Sequence, residues 1–149
     1  MNRPMPDLCF KVMALVFRLR DSLLPRRNIL SEVGIEPGSC VLDLACGPGS
    51  YVKDLAAIVG LPGKIHAVDV HPLAMQMVQD IAAHNQITNI ETICSNCKTG
   101  LSDGSIDVVL LYDAFHLLSD PSGVLSELHR VLKPDGILSF SDHHMKEKQ

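Results

Sequence analysis

The stretch VLDLACGPGSY, residues 41–51, predicts a strand that runs into a glycine-containing turn and then directly into a helix. Gly47 and Gly49 lack a Cβ atom, so the backbone of the turn can approach a ligand closely. The helix that follows presents free N–H groups and the positive end of its dipole, which suits an anionic group of a ligand. In an open α/β sheet, ligands bind at the carboxyl ends of the strands. The stretch therefore predicts a ligand-binding loop.

A second signal is HAVDV, residues 66–70, which places Asp69 at the end of another predicted strand. A carboxylate there can accept hydrogen bonds from both hydroxyls of a ribose, which fits a cofactor of the nicotinamide or the methionine type. A dinucleotide fingerprint needs a third glycine where Val52 stands. Asp43 would repel a pyrophosphate but can pair with the ammonium group of a methionine moiety. The methionine type is favoured, and a nicotinamide-dependent oxidoreductase is the disfavoured alternative.

Outward from this loop, apolar strands alternate with helical patterns. The predicted strands are 40–45, 64–70, 90–95, 106–112 and 137–141, and the predicted helices are 50–59, 73–84 and 122–132. This alternation predicts an α/β fold, a Rossmann-like, doubly wound and mostly parallel sheet with helices on both faces. We expect a single domain over 1–149, with an N-terminal helical segment at 1–36 and a cofactor-binding core at 37–144.

The N-terminal segment predicts helix from about residue 7 to 33, with a break near Pro25. One helical face is apolar and carries Leu8, Val12, Leu15, Val16 and Leu19. We expect this face to pack on the core, and the alternative is a mobile lid over a ligand. The segment is also locally basic, as a solvated face would be, through Arg18, Arg20, Arg26 and Arg27.

The amino-acid composition and charge narrow the classes of function that the protein can have. The chain has 149 residues, 46% hydrophobic and 20% charged, with a net charge of -4, which gives no strong signal for nucleic-acid binding. Its apolar run at 12–17 is too short to span a bilayer, so we expect no membrane insertion. Five cysteines favour a reducing cytoplasm over a disulfide framework. Cys94 and Cys97 lack the second pair that a zinc site needs, so we expect no metal.

The sequence resembles the class I S-adenosylmethionine-dependent methyltransferases. VLDLACGPGSY is similar to their first motif, with Ala45 where the first glycine is usual, and HAVDV is similar to their acidic second motif. DGSIDVVLLYDAFHLLSDP and ELHRVLKPDGILSFSDHH resemble the fourth strand and the helix with the fifth strand. The resemblance covers residues from about 29 to 144, and the ubiquinone/menaquinone-type small-molecule enzymes look nearest. It implies S-adenosylmethionine as cofactor and methyl transfer to a small-molecule acceptor by in-line displacement.

The resemblance also implies the cofactor contacts. Asp43, Ala45 and Gly47 would meet the methionine portion, Asp69 the ribose and Val70 the adenine. Asn96 stands where many members carry an acid, and its amide can hydrogen-bond adenine. The full set of expected cofactor-binding residues is Asp43, Ala45, Cys46, Gly47, Gly49, Asp69, Val70, Asn96, Cys97 and Tyr112.

The sequence does not identify the catalytic residues, but it offers three candidates. Asp113 and His116 follow the fourth strand and His143 follows the fifth, so all three would lie at the rim of the cofactor loop. A general base matters only if the acceptor loses a proton, and histidine suits that role near neutral pH. The alternative is that these histidines pack under a lid or belong to a solvated tail. No Asn-Pro-Pro-Tyr stretch follows the fourth strand, which speaks against amino methylation of nucleobases.

The sequence ends soon after the fifth predicted strand, whereas the resembled family has seven strands. We expect a sheet that is truncated after strand five, with 137–141 at its edge. An uncovered strand has unpaired N–H and C=O groups, so we hypothesise a homodimer through this edge. A non-catalytic module that binds S-adenosylmethionine or oligomerises is the alternative function, and the acceptor atom stays open.

Overall fold

The computed structural model describes residues 4–144, and at its centre lies a five-stranded sheet. The strands are β1 Cys40–Leu44, β2 Lys64–Asp69, β3 Ile90–Cys94, β4 Ile106–Tyr112 and β5 Leu132–Ser141. They lie in the order β3-β2-β1-β4-β5, and every neighbouring pair is parallel. This arrangement confirms the predicted Rossmann-like class.

Helices lie on both faces of the sheet, as predicted. They are α1 Asp7–Leu23, α2 Arg27–Ser31, α3 Val52–Val59, α4 Pro72–His84 and α5 Pro121–Val131, with a 3-10 turn at Phe115–Leu117. Both α4 and α5 begin at a proline, which fits the first helical position because no N–H partner is needed there. The side chain of Asp120 caps α5 by accepting a hydrogen bond from the backbone N–H of Gly123 at 2.9 Å.

The core consists of two layers, one on each side of the sheet. On one side, α5 packs Val124, Leu128 and Val131 against inward-facing residues of β1 and β4. On the other side, α3 and α4 pack against β1 and β2, with Leu55 and Val78 fully buried. Apolar burial on both faces explains why the central strands read as continuous hydrophobic runs.

Strand β5 is longer than predicted and contains a bulge. Ile106 pairs with Leu132 and Val108 pairs with Ile137, so residues 133–136 lie opposite one residue of β4. Residues 133–136, which lie between the predicted helix 122–132 and the predicted strand 137–141, are therefore an irregularity within the strand. Among residues 4–144, β5 has no partner strand on its outer side, and the homodimer through this edge stays a prediction.

The expected packing of the N-terminal helix is wrong. The residues predicted to face the core, Leu8, Val12, Leu15, Val16 and Leu19, are 54–73% exposed. The opposite side of α1 is packed instead, with Phe10 and Ala14 buried. Phe10, Met13 and Phe17 form a second apolar stripe on this side, and an aromatic ring has more apolar area to bury than a valine or leucine side chain. The predicted break near Pro25 is confirmed, since α1 ends at Leu23 and α2 begins at Arg27.

Across the described residues, no helix combines the length and the apolar character that a membrane crossing requires.

Gly49→Ala should destabilise the fold more than a glycine replacement in open space. An added Cβ would lie 3.0 Å from Ile81 Cδ1 and 3.2 Å from Val52 Cγ2, at a backbone φ of +86°. We expect a loss of about 2–4 kcal/mol in the free energy of unfolding, from backbone strain and overpacking together. Gly100→Ala is the control, because it has φ +73° with no atom within 4 Å, and should cost about 1–2 kcal/mol. Equal losses in urea denaturation would contradict the packing role of Gly49.

Candidate functional site

A cavity of about 160 Å³ lies at the carboxyl ends of the strands, between the loop after β1 and helix α1. From the sheet side it is lined by Asp43, Leu44, Ala45, Cys46, Gly47, Ser50, Tyr51, Val68, Asp69, Val70 and His71. Ser95, Asn96, Tyr112, Asp113, Ala114, Leu117, Leu118 and Val124 complete this side. From α1 and the residues before it, the lining is Met5, Phe10, Met13, Phe17 and Arg20.

Most of the sequence-predicted cofactor residues meet in this cavity. Those that line it are Asp43, Ala45, Cys46, Gly47, Asp69, Val70, Asn96 and Tyr112. Gly49 and Cys97 do not line it. The Cα of Gly49 faces Val52, Val78 and Ile81, so this glycine allows close packing of α3 and α4 instead of ligand approach. Cys97 packs against the core layer beneath α5.

Asp69 holds two loops of the cavity together. It lies at the end of β2 and is 8% exposed. One carboxylate oxygen accepts a hydrogen bond from the backbone N–H of Gly47, and the other accepts one from His71, each at 2.9 Å. A carboxylate oxygen has two lone pairs, so both oxygens retain accepting capacity toward a ligand.

The backbone of the loop after β1 is left-handed at three positions, Ala45, Gly47 and Gly49. Gly47 has φ +53°, and no atom lies within 4 Å of the place that a Cβ would occupy, so its backbone is open to approach. Ala45 has φ +60°, a conformation that costs a residue with a Cβ about 1–2 kcal/mol. The backbone N–H of Cys46 donates to the carbonyl oxygen of Val68 at 3.0 Å and fixes the loop against β2. Ala45 therefore adopts the conformation that a glycine would adopt without strain.

Asp43 is the electrostatically unusual residue of the cavity. It is 4% exposed, and its Oδ2 atom has no hydrogen-bond partner among the described residues. Burial, and next the charge of Asp69, raise the pKa of Asp43 to about 7. A buried carboxylate with an unused acceptor is costly, and a cationic ligand group would remove that cost.

His71, which was not among the residues predicted from the sequence, holds α1 over the cavity. Its Nδ1 accepts a hydrogen bond from the backbone N–H of Leu73 at 3.1 Å, so the proton lies on Nε2. That Nε2 donates to the carbonyl oxygen of Met5 at 2.9 Å, and the Phe10 ring stacks on the imidazole at 4.2 Å. The signal available in the sequence was His71-Pro72 at a helix start, where a side-chain cap is expected.

The residues of α1 that line the cavity were not predicted from the sequence either, because the opposite face of the helix was expected to pack against the core. Helix α1 lies over the cavity, and its role as a mobile lid over a ligand stays a prediction. Arg20 brings a guanidinium to a wall that also carries Asp43, Asp69 and Asp113. Its Nη2 atom lies 3.4 Å from Ser50 Oγ and 2.9 Å from Asp21 Oδ1. The cavity thus presents both signs of charge to a ligand.

The three catalytic candidates lie at the rim in two histidine–aspartate pairs. His116 Nδ1 lies 2.9 Å from Asp142 Oδ2, and His143 Nδ1 lies 2.8 Å from Asp113 Oδ1. Burial raises the pKa of Asp142, but hydrogen bonds from His116 and His144 outweigh it and lower that pKa to about 2. Asp113 lines the cavity, whereas His116 and His143 do not. Each imidazole is oriented by a carboxylate.

The two cysteines of the Cys94–Cys97 pair lie in different surroundings. Cys94 is exposed and Cys97 is half-buried, and both are free thiols. Within the part of the chain that the structure describes, no group of three or more His, Cys, Asp or Glu side chains is arranged to hold a metal ion.

Comparison with known proteins gives a family match over most of the core. The model of the family described as "Methyltransferase domain" matches residues 42–140. The ubiquinone/menaquinone biosynthesis C-methyltransferase of Marinomonas sp. is 28% identical over 121 residues, which cover 78% of this chain and 48% of that protein. The demethylmenaquinone methyltransferase of Geobacillus stearothermophilus is 28% identical over 82% of this chain and 53% of that protein. The chain thus spans about half the length of these relatives.

Solved structures share the fold. A SAM-dependent methyltransferase from Aquifex aeolicus is 31% identical with a TM-score of 0.73, over 84% of this chain and 70% of that one. An arsenic (III) S-adenosylmethionine methyltransferase from Chlamydomonas reinhardtii is 33% identical with a TM-score of 0.67, over 74% of this chain and 40% of that one.

Asp43→Asn should stabilise the protein at neutral and alkaline pH. The pKa of Asp43 is raised from 3.8 to about 7, so its protonated form stabilises the fold fully below pH 3.8. That stability is lost as the pH rises from 3.8 to about 7, where the folded protein must bury a charge. Asparagine carries no charge, so we expect the variant to gain about 1–4 kcal/mol over wild type at pH 8. Urea denaturation at pH 4 and pH 8 measures the difference, and a gain that does not depend on pH would contradict it.

Proposed function

This chain belongs to the family of S-adenosylmethionine-dependent methyltransferases, and on that premise we propose that it transfers a methyl group from S-adenosylmethionine to a small aromatic acceptor of the quinol class. The observation that carries the proposal is the unpartnered Oδ2 atom of Asp43 in the cavity. A cationic donor of a ligand would supply the missing partner of Asp43, and S-adenosylmethionine carries an ammonium group and a sulfonium.

The residues of the cavity fit this cofactor. We assign Asp43 to its ammonium group and Arg20 to its carboxylate, because these side chains bring opposite charges to one cavity. Asp69 has accepting capacity left for the ribose hydroxyls. Val70 and Asn96 also line the cavity and are assigned to the adenine, as the family resemblance implies. When bound, the cofactor supplies an electrophilic methyl group, and the chain's own task is to orient the acceptor in line with it.

The acceptor class is proposed from the relatives and from the apolar residues that line the cavity. Two relatives are named as methyltransferases of ubiquinone/menaquinone biosynthesis and of demethylmenaquinone. Met13, Phe17, Leu117 and Leu118 line the cavity with apolar side chains. Apolar and aromatic side chains suit a flat, apolar ring, and they would exclude water from the reacting atoms.

We assign the proton-accepting role to His116. Methylation of a quinol ring carbon releases one proton in total, and a base near the acceptor hydroxyl makes the ring more nucleophilic by removing that hydroxyl's proton. Asp142 orients the imidazole of His116 from Nδ1, while the adjacent Leu117 and Leu118 line the cavity. The Asp113–His143 pair is the alternative, because Asp113 itself lines the cavity.

A reducing compartment, the cytoplasm, is the location that we propose. All five cysteines are free thiols in the described residues. Burial, with the charges of Asp43 and Asp69, raises the pKa of the Cys46 thiol at the cavity, so this thiol stays protonated and unreactive.

Calorimetric titration with S-adenosylhomocysteine tests the cofactor assignment. We expect Asp43→Asn to weaken this ligand about 10- to 100-fold, because a charge-assisted hydrogen bond to the ammonium is lost. The same variant should bind adenosine like wild type, whereas Asp69→Asn should weaken both ligands. Asp80→Asn, at an exposed position of α4, is the matched control and should change neither. Absence of S-adenosylhomocysteine binding, or binding of NAD in its place, would overturn the proposal.

The pH dependence of methyl transfer to a short-chain demethylated naphthoquinol tests His116. The wild-type rate should fall at acidic pH, where imidazoles are protonated. We expect His116→Gln to lower kcat about 10²- to 10⁴-fold, to remove that acidic limb and to leave S-adenosylhomocysteine affinity unchanged. His84→Gln, at an exposed position at the end of α4, is the control. A variant with the wild-type pH profile would exclude His116 as the base.

A further inference from the structure

The outward face of α1 is an apolar stripe. Its members Leu8, Val12, Leu15, Val16, Leu19 and Leu23 are each between 54% and 80% exposed. Their spacing places them on one side of the helix, so they form a continuous surface and not scattered exposed residues. Contiguous exposed apolar patches mark a surface that binds a protein or a membrane.

Cations flank this apolar stripe. Lys11 and Arg18 lie on the same helix, next to the stripe, and both are exposed. Within residues 4–144, neither forms a salt bridge. Asp21, the acid in the second half of α1, is instead bound by Arg20 and Arg26. The outward side of α1 thus combines apolar area with free positive charge.

We propose that α1 docks the protein on an anionic lipid surface, with the apolar stripe in the lipid and Lys11 and Arg18 at the headgroups. Helices of this composition lie in the membrane interface, where apolar burial and attraction to anionic lipid act together. A second copy of the chain fits this face less well, because a symmetric pair would bring the same cations of both copies together. Residues 7–23 carry three cations and two acids, so the negative net charge of the chain, -4, resides outside α1.

Docking in this way would place the cavity next to the membrane, with α1 between them. The outward side of α1 would contact lipid, while Phe10, Met13 and Phe17 on its inward side line the cavity. An apolar acceptor dissolved in the bilayer could then reach the cavity beside α1 without crossing water. This consequence for the acceptor rests on the proposed function, whereas the docking itself rests only on the surface of α1.

Co-sedimentation of the full chain with vesicles tests the proposal. We expect binding to vesicles of phosphatidylglycerol and phosphatidylcholine in equal parts, weaker binding to phosphatidylcholine alone, and release by salt. Leu15→Gln/Leu19→Gln should lower the partition coefficient about tenfold or more. The matched control Leu61→Gln/Leu125→Gln replaces two exposed leucines outside α1 and should bind like wild type. Lys11→Gln/Arg18→Gln should weaken binding to the anionic vesicles alone.

Two results would overturn the proposal. The first is a wild-type chain that does not sediment with anionic vesicles, or a control pair that loses as much binding as the α1 pair. The second is a wild-type chain that forms a dimer in light scattering and does not bind vesicles. If Leu15→Gln/Leu19→Gln dissociates that dimer, the stripe is the contact surface for a second copy. Vesicle binding requires no cofactor, so the two proposals can fail independently. If the proposed function is wrong, the chain will not bind S-adenosylhomocysteine but will still bind vesicles.

Discussion

The two hydrogen bonds that the Asp69 carboxylate accepts, from the backbone N–H groups of Gly47 and His71, fix the geometry on which the cavity depends. One bond holds the loop after β1, and the other holds the start of α4. Because His71 in turn donates to Met5, the same carboxylate positions the segment that leads into α1. A residue expected to contact only a ribose therefore also organises the walls around it, as the groups that support a binding site commonly do.

Two buried acids of the cavity have opposite roles. Asp69 is satisfied by backbone donors, whereas Asp43 has an oxygen without a partner among the described residues. The free energy cost of burying Asp43 appears as its pKa of about 7. A site of this kind lowers the stability of the free protein and raises its affinity for the ligand, because the ligand supplies the missing hydrogen-bond partner. The substitution that removes the charge should accordingly stabilise the fold and weaken the ligand together.

Helix α1 connects the interior of the site with the outer surface. Its inward side lines the cavity with Phe10, Met13 and Phe17, and its outward side is the apolar stripe. A helix with two apolar sides has no purely solvated face, which distinguishes α1 from α5, whose apolar residues Val124, Leu128 and Val131 point into the core. Whatever binds the stripe therefore lies one helix diameter, about 10 Å, from the cavity.

The sequence alone determined the class of sheet, the positions of β1 to β4, the glycine-containing loop after Asp43 and the acid at the end of β2, Asp69. Those features depend on local patterns, such as the apolar run that became β4 Ile106–Tyr112, and on glycines next to a helix start. Only the tertiary structure decided which side of α1 faces inward, that Gly49 serves helix packing, and that His71 fastens α1. A pattern of apolar residues shows that a surface avoids water, but what covers that surface depends on residues distant in sequence.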